Sequence, residues 1–133
     1  MNSTRITTSC LAALLLALLA GCVVPPPASQ PGLMDVSERP AEKALLAGMR
    51  AYEDGQYPQA EQSLNQALAS GLASPKDRAA AHKYLAFIFC TSNRVPACEA
   101  QFRAARTDDP AFALSKAEAG HPQWGPVYQR VQR

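Results

Sequence analysis

Gly55-Gln-Tyr-Pro-Gln-Ala-Glu-Gln-Ser-Leu-Asn-Gln-Ala67 and Asn93-Arg-Val-Pro-Ala-Cys-Glu-Ala-Gln-Phe-Arg-Ala-Ala105 carry one pattern, 38 positions apart. In each copy a turn former leads to an aromatic or β-branched residue, then Pro, a small residue, Glu, a large apolar residue and Ala in register. Proline near a helix start gives up an N–H that has no partner there and pre-sets a helical φ. Both copies therefore read as a turn opening into a helix. Recurrence at a fixed spacing is the mark of stacked, like units.

Working outward, the whole stretch from Pro40 is alanine-rich with helical periodicity and no period-two strand, which predicts an all-α fold. One helix is expected over Ala41 to Glu53, broken by Gly55-Gln56-Tyr57-Pro58, and a second over Pro58 to Ala69, ended near Gly71. Ser74-Pro75-Lys76-Asp77 is a third start, with Ser as N-cap, Pro at the first position and an acid at the third. That helix runs to about Cys90, Thr91-Ser92-Asn93-Arg94 interrupts it, and a fourth runs from Pro96 to about Arg106. Asp108-Asp109-Pro110 stops it.

The pattern resembles the tetratricopeptide repeat (TPR), whose unit is a helical hairpin. Gly48, Gly55, Tyr57, Ala60, Leu64 and Ala67 fall on that family's positions in the first repeat. Leu85, Ala86, Phe89, Cys98, Phe102, Ala105 and Pro110 do so in the second. The resemblance implies close helix approach at Gly48 against Ala60 and at Ala86 against Cys98. Two departures stand out. Ala44 or Leu45, and His82, occupy the place of an early aromatic, and about four extra residues around Ser70 to Pro75 lengthen the inter-repeat loop. Repeat 1 is thus assigned to residues 40–72 and repeat 2 to residues 73–110.

Residues 111–133 are too apolar for a disordered tail, with Phe112, Leu114, Trp124, Val127 and Tyr128. Two repeats leave an exposed edge that a terminal cap must cover. A short closing helix over Pro126 to Gln132 is expected, with Trp124 as a plug; a ligand-binding aromatic is the alternative for Trp124.

At the other end, Leu11 to Leu19 is an apolar run after a polar start holding one cation, Arg5, the plan of an export signal. It is about half the ~20 residues needed to span a bilayer. Leu19-Ala20-Gly21-Cys22 resembles the bacterial lipobox, which implies a signal peptide over residues 1–21 and acylation at Cys22. Val23 and Val24, rather than Asp, follow the cysteine, which by the same resemblance implies the outer membrane with the domain facing the periplasm. Several acyl chains, at ~0.8 kcal/mol per buried methylene, give a firm anchor. Residues 22–39 form a tether: Val23 to Gly32 holds four prolines and no charge, and at ~3 Å per residue it reaches roughly 50 Å by Arg39.

Cleavage before Cys22 leaves 112 of the 133 residues, and with Arg5 gone 12 basic side chains face 11 acidic ones. That size suits one small domain, and the balance points to neither nucleic acid nor an anionic membrane surface. Cys90 and Cys98 are the remaining thiols outside the signal and the lipid site. In an oxidising compartment they are a disulfide candidate, free thiols being the alternative. With distant His82 or His121 they fall short of a metal site.

No catalytic constellation emerges, so a non-enzyme without cofactor, metal or evident small-molecule substrate is expected. His82 reads as a core or interface histidine, Asp108-Asp109 as a turn, and Ser115 near His121 matches no nucleophile motif. By the repeat resemblance, Glu42, Leu45, Met49, Tyr52, Lys83 and Phe87 would line a concave face that takes a protein or peptide partner from the envelope. Packing of some of these on the cap is the alternative. Phe112 to Tyr128 and Lys83 to Cys90 are similar to the TssQ family of lipoproteins associated with type VI secretion, which implies an accessory role near that machine. A pilotin-like assembly factor and a regulator of a cell-wall enzyme are the other readings.

Overall fold

The computed structural model describes residues 39–133. The expected signal peptide, Cys22 and almost all of the Pro-rich tether lie outside the described residues. Six helices follow in chain order: α1 Pro40–Glu53, α2 Tyr57–Ala69, α3 Pro75–Thr91, α4 Val95–Asp108, α5 Lys116–Ala119 and α6 Gly125–Val131. No strand occurs among the described residues. α1 pairs with α2 and α3 with α4 as hairpins, α3 also packs on α1 and α2, and α6 closes over α4 with α5 beside it.

The two quoted stretches begin with the same backbone device. Gly55 (φ 72°) and Asn93 (φ 63°) both sit in the left-handed region, which glycine enters freely and asparagine more easily than other side chains. Gln56 N donates to Ala51 O at 2.8 Å and Gly55 N to Tyr52 O at 3.0 Å. Arg94 N likewise donates to Phe89 O at 2.8 Å and Asn93 N to Cys90 O at 3.2 Å. Both are Schellman ends, which satisfy orphan carbonyls and reverse the chain. The start of α3 follows from Ser74, whose hydroxyl accepts from Asp77 N at 3.3 Å with Pro75 next in line.

Apolar spacing then decides which faces meet. Ala41, Leu45 and Gly48 of α1, Ala60, Leu64 and Ala67 of α2, and Cys98, Phe102 and Ala105 of α4 are all buried. Each set has i, i+4, i+7 spacing, one stripe on one helix face. α3 differs: six consecutive residues, Leu85 to Cys90, are buried, because this helix has neighbours on most sides. Burying a Leu or Phe contributes about 1.5–3 kcal/mol. Gly48 sets the α1–α2 distance, since a Cβ there would lie 2.7 Å from Leu64 Cγ. That approach is made on Leu64. Cys90 and Cys98 are joined as a disulfide with Cα atoms 5.2 Å apart, linking the end of α3 to the start of α4.

The C-terminal segment holds a helix that periodicity misses. Ser115 and Glu118 form a capping box, Glu118 N donating to Ser115 Oγ and Ser115 N to Glu118 Oε2. The closing helix begins at Gly125, one residue before Pro126, and a Cβ on Gly125 would collide with the Ala119 carbonyl. Tyr128 is buried, and its hydroxyl accepts from Leu114 N at 3.1 Å.

Candidate partner-binding site

The expected concave face is filled at its centre by the chain itself. Phe87 is 3% exposed and stacks on Trp124 with ring centroids 4.2 Å apart. Trp124 is 8% exposed, its Nε1 donates to Glu118 O at 2.8 Å, and His121 lies flat on its other side. Trp124 therefore sits as a plug between the second hairpin and the cap. Leu45 is 5% exposed and belongs to the core. Leu45 and Phe87 present no surface to a partner, which corrects their placement in an open groove. The physical reasons differ: Leu45 lies on the apolar stripe that α1 turns into the core, whereas α3 is apolar on the side where a further repeat would stack, and there the cap covers Phe87. Glu42 is also buried and pairs with Arg39 at 3.7 Å.

Met49, Tyr52 and Lys83 remain half-buried at the surface, but in a different setting from the one expected. Tyr52, near the end of α1, contacts Tyr57 at the start of α2 (centroids 5.5 Å) and Tyr84 of α3 (5.0 Å). Tyr57 is 44% exposed. Lys83 is held at one edge of this strip, its Nζ 2.7 Å from Glu118 Oε1 and 5.0 Å from the Tyr84 ring centre. The strip thus joins both hairpins to α5 through three phenols and an ion pair.

The electrostatics follow from that crowding. Burial first, then the neighbouring Tyr57, Tyr84 and Glu118, push the Tyr52 hydroxyl from 10.0 to about 12. Burial pushes the Glu118 carboxyl up, but hydrogen bonds from Lys83 and from Ser115 outweigh it and hold the group below its ordinary value. Glu118 is thereby favoured as a carboxylate facing Lys83.

Beyond Tyr57 a cleft of about 270 Å³ continues between α2 and α3, with Pro58, Glu61, Ile88 and Thr91 in its walls. Arg94 crosses its rim and grips Glu61 through two hydrogen bonds, 3.0 and 2.7 Å. The volume lies just under the ~300–1,000 Å³ of small-molecule sites and suits one or two side chains. A second cleft, about 330 Å³, lies by Arg103, Arg106 and Val131. Its cations are already committed, Arg106 to the Val131 carbonyl and Arg103 to Glu99.

His82 is an interface residue of the second hairpin. Its Nε2 lies 3.3 Å from Asp108 Oδ2 and its Nδ1 hydrogen bonds with Gln101 at 2.6 Å. Asp108 ends α4, and its carboxylate also takes Arg78 at 2.7 Å, so it is an ion-pair centre; Asp109 forms the turn. Among the described residues, no group of three or more His, Cys, Asp or Glu is placed to hold a metal ion. Among them, no helix is long and apolar enough to cross a membrane.

Tyr57 and Tyr84 are the site residues that spacing alone misses. Tyr57 reads as hairpin packing, and Tyr84 sits next to the Lys83 position that the repeat mapping selects. The available signal was composition: four tyrosines in the chain, three of them at the two helix ends and the α3 face that converge here. No protein-family model, curated protein or solved structure matches the chain.

Proposed function

We propose that this chain is a lipid-anchored envelope protein whose TPR-like hairpins act as a non-catalytic interaction scaffold. In this reading Cys22 carries the acyl chains at the outer membrane, the tether spans residues 22–39, and the domain faces the periplasm. The repeated Schellman turns at Gly55 and Asn93 and the close approach at Gly48 support a TPR-like unit. The observation that carries the binding role is the tyrosine strip: Tyr52 packed against both Tyr57 and Tyr84, with all three only partly covered. Tyrosines are over-represented at interface centres because they bring large, rigid contact area and a polar tip at low entropic cost. The similarity of the C-terminal stretch to TssQ lipoproteins makes an envelope-spanning secretion machine the setting we favour.

The test pairs Tyr57→Ala with Tyr84→Ala, leaving buried Phe87 intact. Interface anchors typically cost ~1–4 kcal/mol of binding when truncated. Partners recovered from cross-linked cells with the wild type should be lost with the double variant at unchanged helical content. Equal recovery by both proteins overturns the reading.

A further inference from the structure

We propose that residues 33–38, which lie just before the described residues, fold back and dock on the outer face of α1. Nothing in this depends on the tyrosine strip or on what it binds. Three observations carry it.

The first is the face itself. Lys43, Leu46, Ala47 and Arg50 are all exposed and stand at i, i+3, i+4 and i+7, one stripe along α1. α1 turns Ala41, Leu45 and Gly48 into the core, so this second stripe is left to solvent. Its four side chains line a depression of about 290 Å³. Leu46, 44% exposed, is the one large aliphatic side chain that stays exposed among the described residues.

The second is complementarity. Composition changes inside the tether at Leu33. Val23 to Gly32 has four prolines and no charge, whereas Leu33-Met34-Asp35-Val36-Ser37-Glu38 has no proline, three apolar side chains and two carboxylates. On the stripe, Leu46 and Ala47 lie between two cations, Lys43 and Arg50, and neither cation is ion-paired among the described residues. Segment and stripe therefore match in apolar surface and in charge.

The third is reach. The segment ends at Arg39, whose extended backbone leads directly into α1. At 1.5 Å per helical residue the stripe lies ~5–15 Å from Pro40, and four extended residues run ~13 Å. A reversal at Ser37-Glu38 lays Val36 to Leu33 along Lys43 to Arg50. Closing so short a loop costs little entropy, and attachment makes the contact intramolecular, so a patch too small for a separate partner suffices. Docked, the segment leaves residues 22–32 as the free tether, ~33 Å at ~3 Å per residue. The tether then departs beside Arg50 instead of at the start of α1.

The test is amide hydrogen exchange over residues 33–38, read by mass spectrometry on the full chain in detergent. Exchange should be about tenfold slower than in a free peptide of the same sequence, the scale set by covering one aliphatic side chain. Leu46→Ser should restore the peptide rate at unchanged helical content, because Leu46 is exposed in the helical body. Leu33→Ser with Met34→Ser, which lies before α1, should release the segment equally. Lys43→Glu with Arg50→Glu should remove most of the protection, and adding Asp35→Lys with Glu38→Lys should bring it back. Peptide-like exchange in the wild type, protection that survives Leu46→Ser, or protection that fades on dilution, the sign of a second copy as the occupant, would each overturn the proposal.

Discussion

Replacing Trp124 by alanine removes the large aromatic that is buried between the cap and Phe87 of the second hairpin. The loss has three parts. The stack on Phe87, centroids 4.2 Å apart, disappears and leaves a cavity over a ring that is 3% exposed. The Nε1 hydrogen bond to Glu118 O, 2.8 Å, goes with it, as does the stack on His121. Large aromatic-to-alanine changes in well-packed sites cost ~3–5 kcal/mol. That is roughly a third to a half of ~10 kcal/mol, the middle of the range typical of a whole small domain. Trp124→Phe is the milder change: it keeps an aromatic ring for Phe87 to stack on but loses the pyrrole portion with its N–H, and should cost less than the alanine change. The Glu118 carbonyl stays satisfied, because His121 N also donates to it. Urea denaturation followed by circular dichroism measures both, and the slope reports whether the cap unfolds with the rest. Trp124 is the chain's only tryptophan, so wild-type fluorescence reports on this site alone. A Trp124→Ala variant within ~0.5 kcal/mol of wild type, the range of a surface substitution, would refute the plug.

Four further outcomes are expected. Cys90→Ser with Cys98→Ser should cost about 2–3 kcal/mol by loop closure; thiol counting on the unreduced protein should find neither cysteine free. Asn93→Gly should be neutral or stabilising while Asn93→Ala should cost about 1 kcal/mol, since only the left-handed φ distinguishes them; equal effects in thermal melts would contradict that. Stability should fall as pH rises from 10 to 12: Tyr52 ionises at 10.0 when unfolded but at about 12 when folded, a loss of roughly 1 kcal/mol after allowing for its partial exposure, removed in Tyr52→Phe. Glu118 runs the other way. Its folded value lies below the ordinary 4.5, so its contribution is present above 4.5 and lost as pH falls through the folded value; Glu118→Gln should flatten that acid limb.

The helices were legible because their boundaries rest on local chemistry. Gly55, Asn93 and Gly71 act through their own backbones and Ser74 through its hydroxyl, and each does what its residue type allows. The short α5 was missed because four residues carry no period, although the Ser-x-x-Glu spacing of Ser115 and Glu118 was there to be seen. The site was harder for a different reason. Periodicity says that Phe87 and Leu45 face a neighbour, but not whether that neighbour is a partner or the chain's own cap. That outcome is decided by Trp124, 37 positions from Phe87, and no local rule connects them. Tyr52 and Lys83 were reachable through the repeat pattern. Their partners Tyr57, Tyr84 and Glu118 come from three different helices, and only the packing brings them together.

The central claim is that the tyrosine strip is where this protein meets another. A photo-crosslinking phenylalanine analogue at position 57, on the exposed edge of the strip, tests it in living cells, with the same analogue at exposed position 62 of α2 as the control. A discrete adduct is expected from position 57, lost when Tyr84→Ala is added, and none from position 62. No adduct from position 57, or the same adduct from both positions, would contradict it.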